Sequence, residues 1–347
     1  VVYLRLSNAP GCLEGVSWNT SHLWLSKHGL GRTFPNPIVG AVIVSASGEV
    51  IGEGFHAGGD HAEVMALLDC AKRGTSTPGS TIIVSLEPCN HTGRRGPCTK
   101  AILDAGISRV VFAVSDPNPV AMGGADFLRS QGVEVICNVL KSEASFVNRA
   151  WLHKIANSRP YITWKIASTF DGFTAALDGS SKWITSQESR TVVQNLRAEA
   201  DAILIGTGTA LDDNPSLIPH RDTRRPLRIV MGKREIASNA NVLNAQAQTL
   251  ILPSRDMDAL IARTNEIGLN SILVEAGATL GSALLKAGLI DEILWFQAPI
   301  FLGEGKGAIG DLHVKTLADG MQFSIVRSEV VGPDLYSMLI PKTEVRT

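Results

Sequence analysis

His61-Ala62-Glu63, Pro88-Cys89 and Cys98 constrain this chain more than any other feature. One imidazole and two thiols form a donor set for zinc, and three protein ligands leave a fourth position open to water. Any fold must bring these distant residues together. Hydrophobic spacing predicts a helix over 61–72, with Ala62, Val64, Met65, Leu67 and Leu68 as its apolar positions. Cys89 follows a predicted strand, 81–86, and Cys98 opens a predicted helix, 98–105, after Gly96-Pro97. Two donors therefore fall at helix N-termini, where the helix dipole favours thiolate over thiol. Residues two apart on a regular helix point to nearly opposite sides. His61 and Glu63 can converge only in an irregular first turn, where Glu63 can move protons. His91, between the cysteines, is the candidate fourth ligand of a structural site. The match of Glu63 and Pro88 to a His-x-Glu…Pro-Cys pattern favours a catalytic one.

The rest of the chain supplies room for two cores. It has 347 residues, 44% hydrophobic and 19% charged, with a net charge of −1. These values exclude a mainly disordered chain and give no basic field for nucleic acid. Five cysteines at uneven spacing are a poor disulfide framework. Cys70, in a helical pattern, and Cys137, ending a strand, read as buried thiols, and Cys12 carries no assignment. No apolar stretch reaches about 18 residues, so no membrane span is expected. Residues 1–10 lack a basic segment followed by a long apolar run, so no secretory signal is expected. The expected location is cytoplasmic.

Strands predicted at 38–45, 81–86, 109–114 and 133–137 alternate with helices at 61–72, 98–105 and 122–131, which implies a layered α/β domain. A mixed helical segment, 140–158, leads to a junction near Arg159-Pro160, giving expected domains 1–158 and 159–347. A second series has strands at 161–168, 202–206, 227–231, 248–252, 271–275 and 292–297, and helices at 186–199, 256–267 and 280–287. The tail, 322–340, reads as strand–turn–strand about Gly332-Pro333, so this sheet is expected to be mixed. Pro35-Asn36-Pro37 fixes a backbone that can present the Asn36 amide to a pyrimidine edge. Asp116-Pro117-Asn118-Pro119 is a turn, or a substrate loop if it faces the metal. His91, Arg94 and Arg95, in the loop between the cysteines, are candidates for a substrate phosphate.

PNPIVGAVIV, HAEVMAL, LEPCNHTGRRGPC and DPNP together resemble the deaminase half of the bifunctional riboflavin-biosynthesis deaminase/reductases. That resemblance implies that His61, Cys89 and Cys98 bind zinc and that Glu63 is the proton shuttle. KIASTFDG, SSKWITS, GTGTALDDNPSL and ILVEAGATLGSALL resemble the reductase half of the same family. The implied architecture is a cytidine-deaminase-like three-layer domain followed by a dihydrofolate-reductase-like domain with a mixed sheet. The implied cofactors are zinc and NADPH. The implied chemistry is hydrolytic deamination of 2,5-diamino-6-ribosylamino-4(3H)-pyrimidinone 5′-phosphate, then reduction of its ribosyl chain to ribityl.

By the same resemblance, Ala167, Trp183, Thr209, Asp213 and the run Gly277, Ala278, Thr279, Leu280, Gly281, Ser282, Ala283 contact NADPH. Ser181, Arg197, Leu217 and Glu275 contact the pyrimidine ribonucleotide, Lys165 lies in the same cleft, and His220 or Arg221 fills a basic slot. Read from the residues alone, Gly277–Gly281 follows a strand and opens a helix, which suits a phosphate, but it is not GxGxxG. Lys233 and Arg234 follow the strand 227–231, where cations can meet a ribose phosphate. The chain departs from the family at Gly232-Lys233, where an Asp and a small residue are usual. The family's habit of associating through the reductase half implies a dimer or tetramer; no nucleic-acid or membrane partner is implied. Two other readings remain: a nucleic-acid base deaminase with an appended domain, against which 5% aromatics weigh, and an inactive zinc-stabilised scaffold, which has no need of Glu63.

Overall fold

A computed structural model describes residues 21–91, 96–221 and 224–342. The first ten residues, Cys12, Arg94 and Arg95 lie outside the described residues. The chain divides into two compact units between Asn148 and Arg149.

The first unit contains α1 (Ser21–Ser26), β1 (Gly40–Val44), β2 (Val50–Phe55), α2 (Ala62–Arg73), β3 (Thr81–Leu86), α3 (Cys98–Asp104), β4 (Arg109–Val114), α4 (Gly124–Ser130), β5 (Glu134–Ile136) and α5 (Lys141–Val147). Its sheet runs β2-β1-β3-β4-β5. β1 pairs antiparallel with β2 and β3, while β3, β4 and β5 are parallel. Side chains alternate across a sheet. Ala41, Ile43, Ile82, Val84, Val110 and Phe112 therefore share one face, where they pack with Ala66 and Cys70 of α2, Ile102 of α3 and Leu128 of α4. α1 and α5 touch each other and the strands instead, which completes three layers. Cys70 is buried as expected, and Cys137 is half-buried.

Sequence patterning does not mark β2. Its Val-Ile-Gly-Glu-Gly-Phe run carries two glycines, which weaken any strand signal. Both are there because α2 lies directly on the strand. A Cβ on Gly52 would sit 2.3 Å from the Cys70 sulfur, and one on Gly54 would sit 2.4 Å from the Ala62 carbonyl oxygen. This contact carries the first turn of α2, and His61 with it.

The second unit contains α6 (Arg149–Asn157), β6 (Tyr161–Thr169), β7 (Phe173–Ala175), α7 (Gln187–Glu199), β8 (Ala202–Gly206), α8 (Thr207–Asp212), β9 (Leu227–Met231), β10 (Thr249–Leu252), α9 (Met257–Ile267), β11 (Ser271–Val274), α10 (Ala278–Lys286), β12 (Glu292–Ala298), β13 (Lys306–Gly307), β14 (Phe323–Val331) and β15 (Asp334–Pro341). The main sheet is ordered β10-β9-β8-β11-β6-β12-β15-β14. The strands from β10 to β12 are parallel, and β15 and β14 add an antiparallel hairpin. Gly332-Pro333 makes its turn, with Gly332 at φ +59°. The sheet is mixed, as the tail predicts.

The junction lies ahead of Arg159-Pro160 because α6 is bonded into the second unit. Arg149 grips the fully buried Glu292 carboxylate at 2.7 and 3.2 Å, and the Tyr161 hydroxyl donates to the same group at 3.0 Å. A buried carboxylate needs such partners, so α6 stays with the sheet that supplies Glu292.

We predict that Gly54→Ala destabilises the chain by about 1–3 kcal/mol, the usual cost of overpacking. Gly59→Ala, whose Cβ meets nothing within 4 Å, should stay within about 0.5 kcal/mol. Urea unfolding midpoints check this, and equal midpoints for the two variants would contradict the close α2–β2 packing.

Candidate functional site

His61 is the N-cap of α2, in extended backbone (φ −69°, ψ 157°), and Glu63 lies in the first helical turn. Because His61 is not yet helical, the two side chains escape the divergence of a regular helix. Cys98 is the first residue of α3. Cys89 follows β3, and its carbonyl accepts the Thr99 N–H at 3.3 Å. His61 Nδ1 lies 3.2 Å from Cys98 Sγ and 3.5 Å from Cys89 Sγ. The three donor atoms lie within 4.8 Å of one another. His91 is not in this group, so no fourth His, Cys, Asp or Glu joins it among the described residues.

The electrostatics fit a cation. A hydrogen bond from Cys98, with another from His61, holds the Cys89 thiol down at about 4. The same contact with Cys89, together with burial, pushes Cys98 up. The bond to Cys89 raises His61. Two sulfurs thus contend for one proton beside an imidazole, and a soft divalent ion relieves that contest. Glu63 is 4% exposed, and burial pushes its carboxyl up to about 7.

Two further groups, not singled out in the sequence, build this site. Glu87 is buried just before Pro88-Cys89. Its carboxylate accepts the Asp116 N–H at 3.1 Å and the Ala125 N–H at 2.9 Å, tying the Asp116–Pro119 turn and the start of α4 to the Cys89 segment. Burial, with Glu87 and Cys89 nearby, raises Asp116, and Ala121 packs on both cysteines. The turn therefore lies beside the metal donors. His56 is the second group: its ring meets His61 edge-on at 5.6 Å, and its buried Nε2 has no hydrogen-bond partner. Linear sequence carries no signal for Glu87, because its burial and both of its contacts arise only in the fold. Asn36 is exposed, in the turn closed by its N–H to the Thr33 carbonyl, ahead of β1.

The second unit holds a cleft of about 1340 Å³, lined from the ends of its parallel strands. Lys165, Ala167, Ser181, Trp183, Arg197, Thr209, Asp213 and Glu275 line it, as do Gly277, Ala278, Thr279, Leu280 and Ala283. Gly281 does not; a Cβ there would meet the Trp164 ring at 1.9 Å, so it lets α10 pack. Ser282 is buried, and its hydroxyl accepts the Gly310 N–H at 2.8 Å. Leu217 also lies outside the lining, in the core around Ile203 and Val230 with φ +58°. His220 and Arg221 are exposed and do not line the cleft, so the basic slot expected from them is not found there. Arg234 lines the cleft and Lys233 does not.

Glu275 organises the cleft. Arg197 Nε and Nη2 donate to its two oxygens at 2.5 and 3.0 Å, and Lys165 Nζ lies 3.4 Å away. Burial alone would raise Glu275, but Arg197 and Lys165 hold it down at about 2. Both donors on that edge of Arg197 are thus engaged by a carboxylate. Trp183 is 72% exposed at φ +67°, with the Arg190 guanidinium 4.2 Å over its ring. Such backbone is costly for a bulky residue and marks functional sites; a core role for Trp183 is excluded. Seven cationic side chains and three carboxylates line the cleft. In a chain of net charge −1, that excess fits a polyanionic dinucleotide. The uncapped N-terminus of α10 adds free N–H groups.

These sites define a zinc-dependent deaminase joined to a dinucleotide-dependent reductase. Residues 20–114 match the cytidine and deoxycytidylate deaminase zinc-binding region, and residues 160–337 match the RibD C-terminal domain. The riboflavin biosynthesis protein RibD of Mycobacterium tuberculosis is 42% identical over 321 residues, covering 90% of this chain and 93% of that one. The Escherichia coli protein of that name is 36% identical, covering 92% and 97%. A Thermotoga maritima diaminohydroxyphosphoribosylaminopyrimidine deaminase/5-amino-6-(5-phosphoribosylamino)uracil reductase superposes with TM-score 0.85 at 32% identity, covering 93% and 97%. The chain belongs to the RibD family of bifunctional riboflavin-biosynthesis enzymes, which use zinc and NADPH.

Cys98→Ala and His61→Ala should each lose most bound zinc, whereas Glu63→Gln should keep it. Metal analysis after gel filtration reads this directly. Zinc loss in Glu63→Gln would make that carboxylate a ligand and contradict the three-donor geometry.

Proposed function

We propose that this chain carries out both reactions of its family, each in its own unit. The observation that carries the reading is the convergence of His61, Cys89 and Cys98 with a buried, non-ligating Glu63 beside them. His61, Cys89 and Cys98 hold zinc, which in such a site supplies a water-derived nucleophile at neutral pH. Glu63 takes the proton of the attacking water and returns it to the departing amine, so a C–O bond forms, the C–N bond breaks and ammonia leaves. A carboxyl pushed up to about 7 can both accept and release that proton near neutrality. The Asp116–Pro119 turn and Asn36 orient the pyrimidine.

In the second unit NADPH supplies the hydride for the opened ribose. Ala167, Trp183, Thr209, Asp213 and the Gly277–Ala283 segment hold the cofactor. Glu275, kept ionised, accepts from sugar hydroxyls, while Lys165 donates to them and Ser181 and Arg197 complete the substrate side. We place the enzyme in the cytoplasm. The four described cysteines are free, which fits a reducing compartment, and no helix among the described residues is long and apolar enough to cross a membrane. We also take it to self-associate: edge strand β14 leaves Ile325, Val326 and Val330 exposed. Light scattering that reads a single-chain mass would remove that last point.

With zinc, NADPH and 2,5-diamino-6-ribosylamino-4(3H)-pyrimidinone 5′-phosphate, the full chain should release ammonia and then oxidise NADPH. Glu63→Gln should cut ammonia release by about 10²–10⁴-fold and leave NADPH oxidation with the deaminated substrate intact. Glu275→Gln should do the reverse. Unchanged ammonia release in Glu63→Gln would defeat the assignment.

A further inference from the structure

Ile38 is buried just ahead of β1. A buried backbone N–H and C=O both need partners. Here one side chain supplies both. The Ile38 N–H donates to Asn148 Oδ1 at 3.0 Å, and its carbonyl accepts from Asn148 Nδ2 at 2.7 Å. A single amide thus meets Ile38 as a paired residue of an antiparallel strand would. Asn148 is itself buried, at the C-cap of α5, where its own N–H donates to the Ala144 carbonyl at 3.0 Å. A residue 110 positions further on therefore closes on the chain two residues after Asn36.

The short link from Ile38 back to Asn36 is stiff. Pro37 has a fixed φ and no N–H, and the residue before a proline is kept out of helical backbone. Asn36 is that residue. Its N–H donates to the Thr33 carbonyl at 2.8 Å. Asn36 is thus held on one side by a turn and on the other by the clamp on Ile38. Its own side chain is exposed and engaged by no described residue.

The clamped stretch lies against the segment that carries the metal donor His61. The Val39 carbonyl accepts the His56 N–H at 2.9 Å. A Cβ on Gly29 would stand 2.7 Å from the His56 carbonyl oxygen and 3.2 Å from Ile38 Cγ2, so the two segments close on one glycine. His56 in turn meets the His61 ring edge-on. A shift of Ile38 would therefore move the Asn36 amide relative to the zinc donors.

We propose that Asn148 is a positioning residue for deamination: by clamping the Ile38 backbone it sets the Asn36 amide at the pyrimidine edge. It acts through Asn36 and not on the reacting atoms. The proposal rests on the reading of Asn36 given above.

The test is a double-variant cycle on the zinc-loaded chain, read as kcat and KM for ammonia release from the pyrimidine substrate. It compares wild type, Asn36→Ala, Asn148→Ala and the double variant. Asn148→Ser serves as a milder change, and Leu128→Ala as a truncation elsewhere in the core of the same unit. Asn36→Ala and Asn148→Ala should each lower kcat/KM about tenfold or more, through KM, as for a lost interaction shared by ground and transition states. The double variant should match Asn36→Ala within about twofold, because residues that act as a unit are not additive. Asn148→Ser should move KM in the same direction. Leu128→Ala should lose stability and keep KM. Zinc content, and NADPH oxidation with the deaminated substrate, should hold throughout. Multiplied losses in the double variant would show two independent residues and overturn the proposal. Unchanged KM in the Asn148 variants, or an equal rise in KM for Leu128→Ala, would overturn it too. So would zinc loss or unfolding in both Asn148 variants, which would make Asn148 a structural group. Unchanged deamination in Asn36→Ala would instead bring down the reading of Asn36, and this inference with it.

Discussion

The contest of two thiols and one imidazole for a single point in space governs the first unit. It is favourable only if three separate segments end at that point with their backbones fixed. Each is fixed by a different device. The close contact of β2 with α2, which Gly52 and Gly54 permit, sets His61 at a helix start. The end of β3 delivers Cys89. Pro97 precedes α3 in extended backbone and so places Cys98 at its first residue. Glu87 then ties the surrounding turns to the Cys89 segment through two backbone N–H groups. Remove the convergence and Glu63 is only a buried carboxyl without a task, which folding would not tolerate cheaply.

The second unit solves a different problem by similar means. Its parallel strands end along one line, so residues far apart in sequence become neighbours in a cleft. There the dominant interaction is the Glu275 carboxylate held between Arg197 and Lys165. Burial would favour the neutral acid, and the two cations win. The result is an anion fixed among cations and kept ionised rather than available as a proton source. Excess positive charge around it remains for phosphates.

Much of this was legible in the sequence, for identifiable reasons. His61 and Glu63 are readable as a pair because a regular helix would send them apart, which calls for an irregular first turn. The structure resolves this by leaving His61 outside the helix as its extended N-cap. The long parallel strands are readable as apolar β-rich runs. β2 was hidden by its glycines, and α8 by a Gly-Thr-Gly-Thr start with poor helix propensity. β7 and β13 are too short to carry a pattern. Leu217 matched a motif, but its side chain turned into the core through a positive φ that no motif encodes. Glu87 and the Arg190–Trp183 stack depend on contacts across elements, which linear spacing does not reveal.

The central claim is a metal held by three side chains with one position left for water. X-ray absorption at the zinc edge of the loaded protein tests it most directly. The account predicts two sulfur scatterers at about 2.3 Å, one imidazole nitrogen at about 2.0–2.1 Å and one further light atom that changes when substrate binds. A shell of four protein donors, unchanged by substrate, would contradict it.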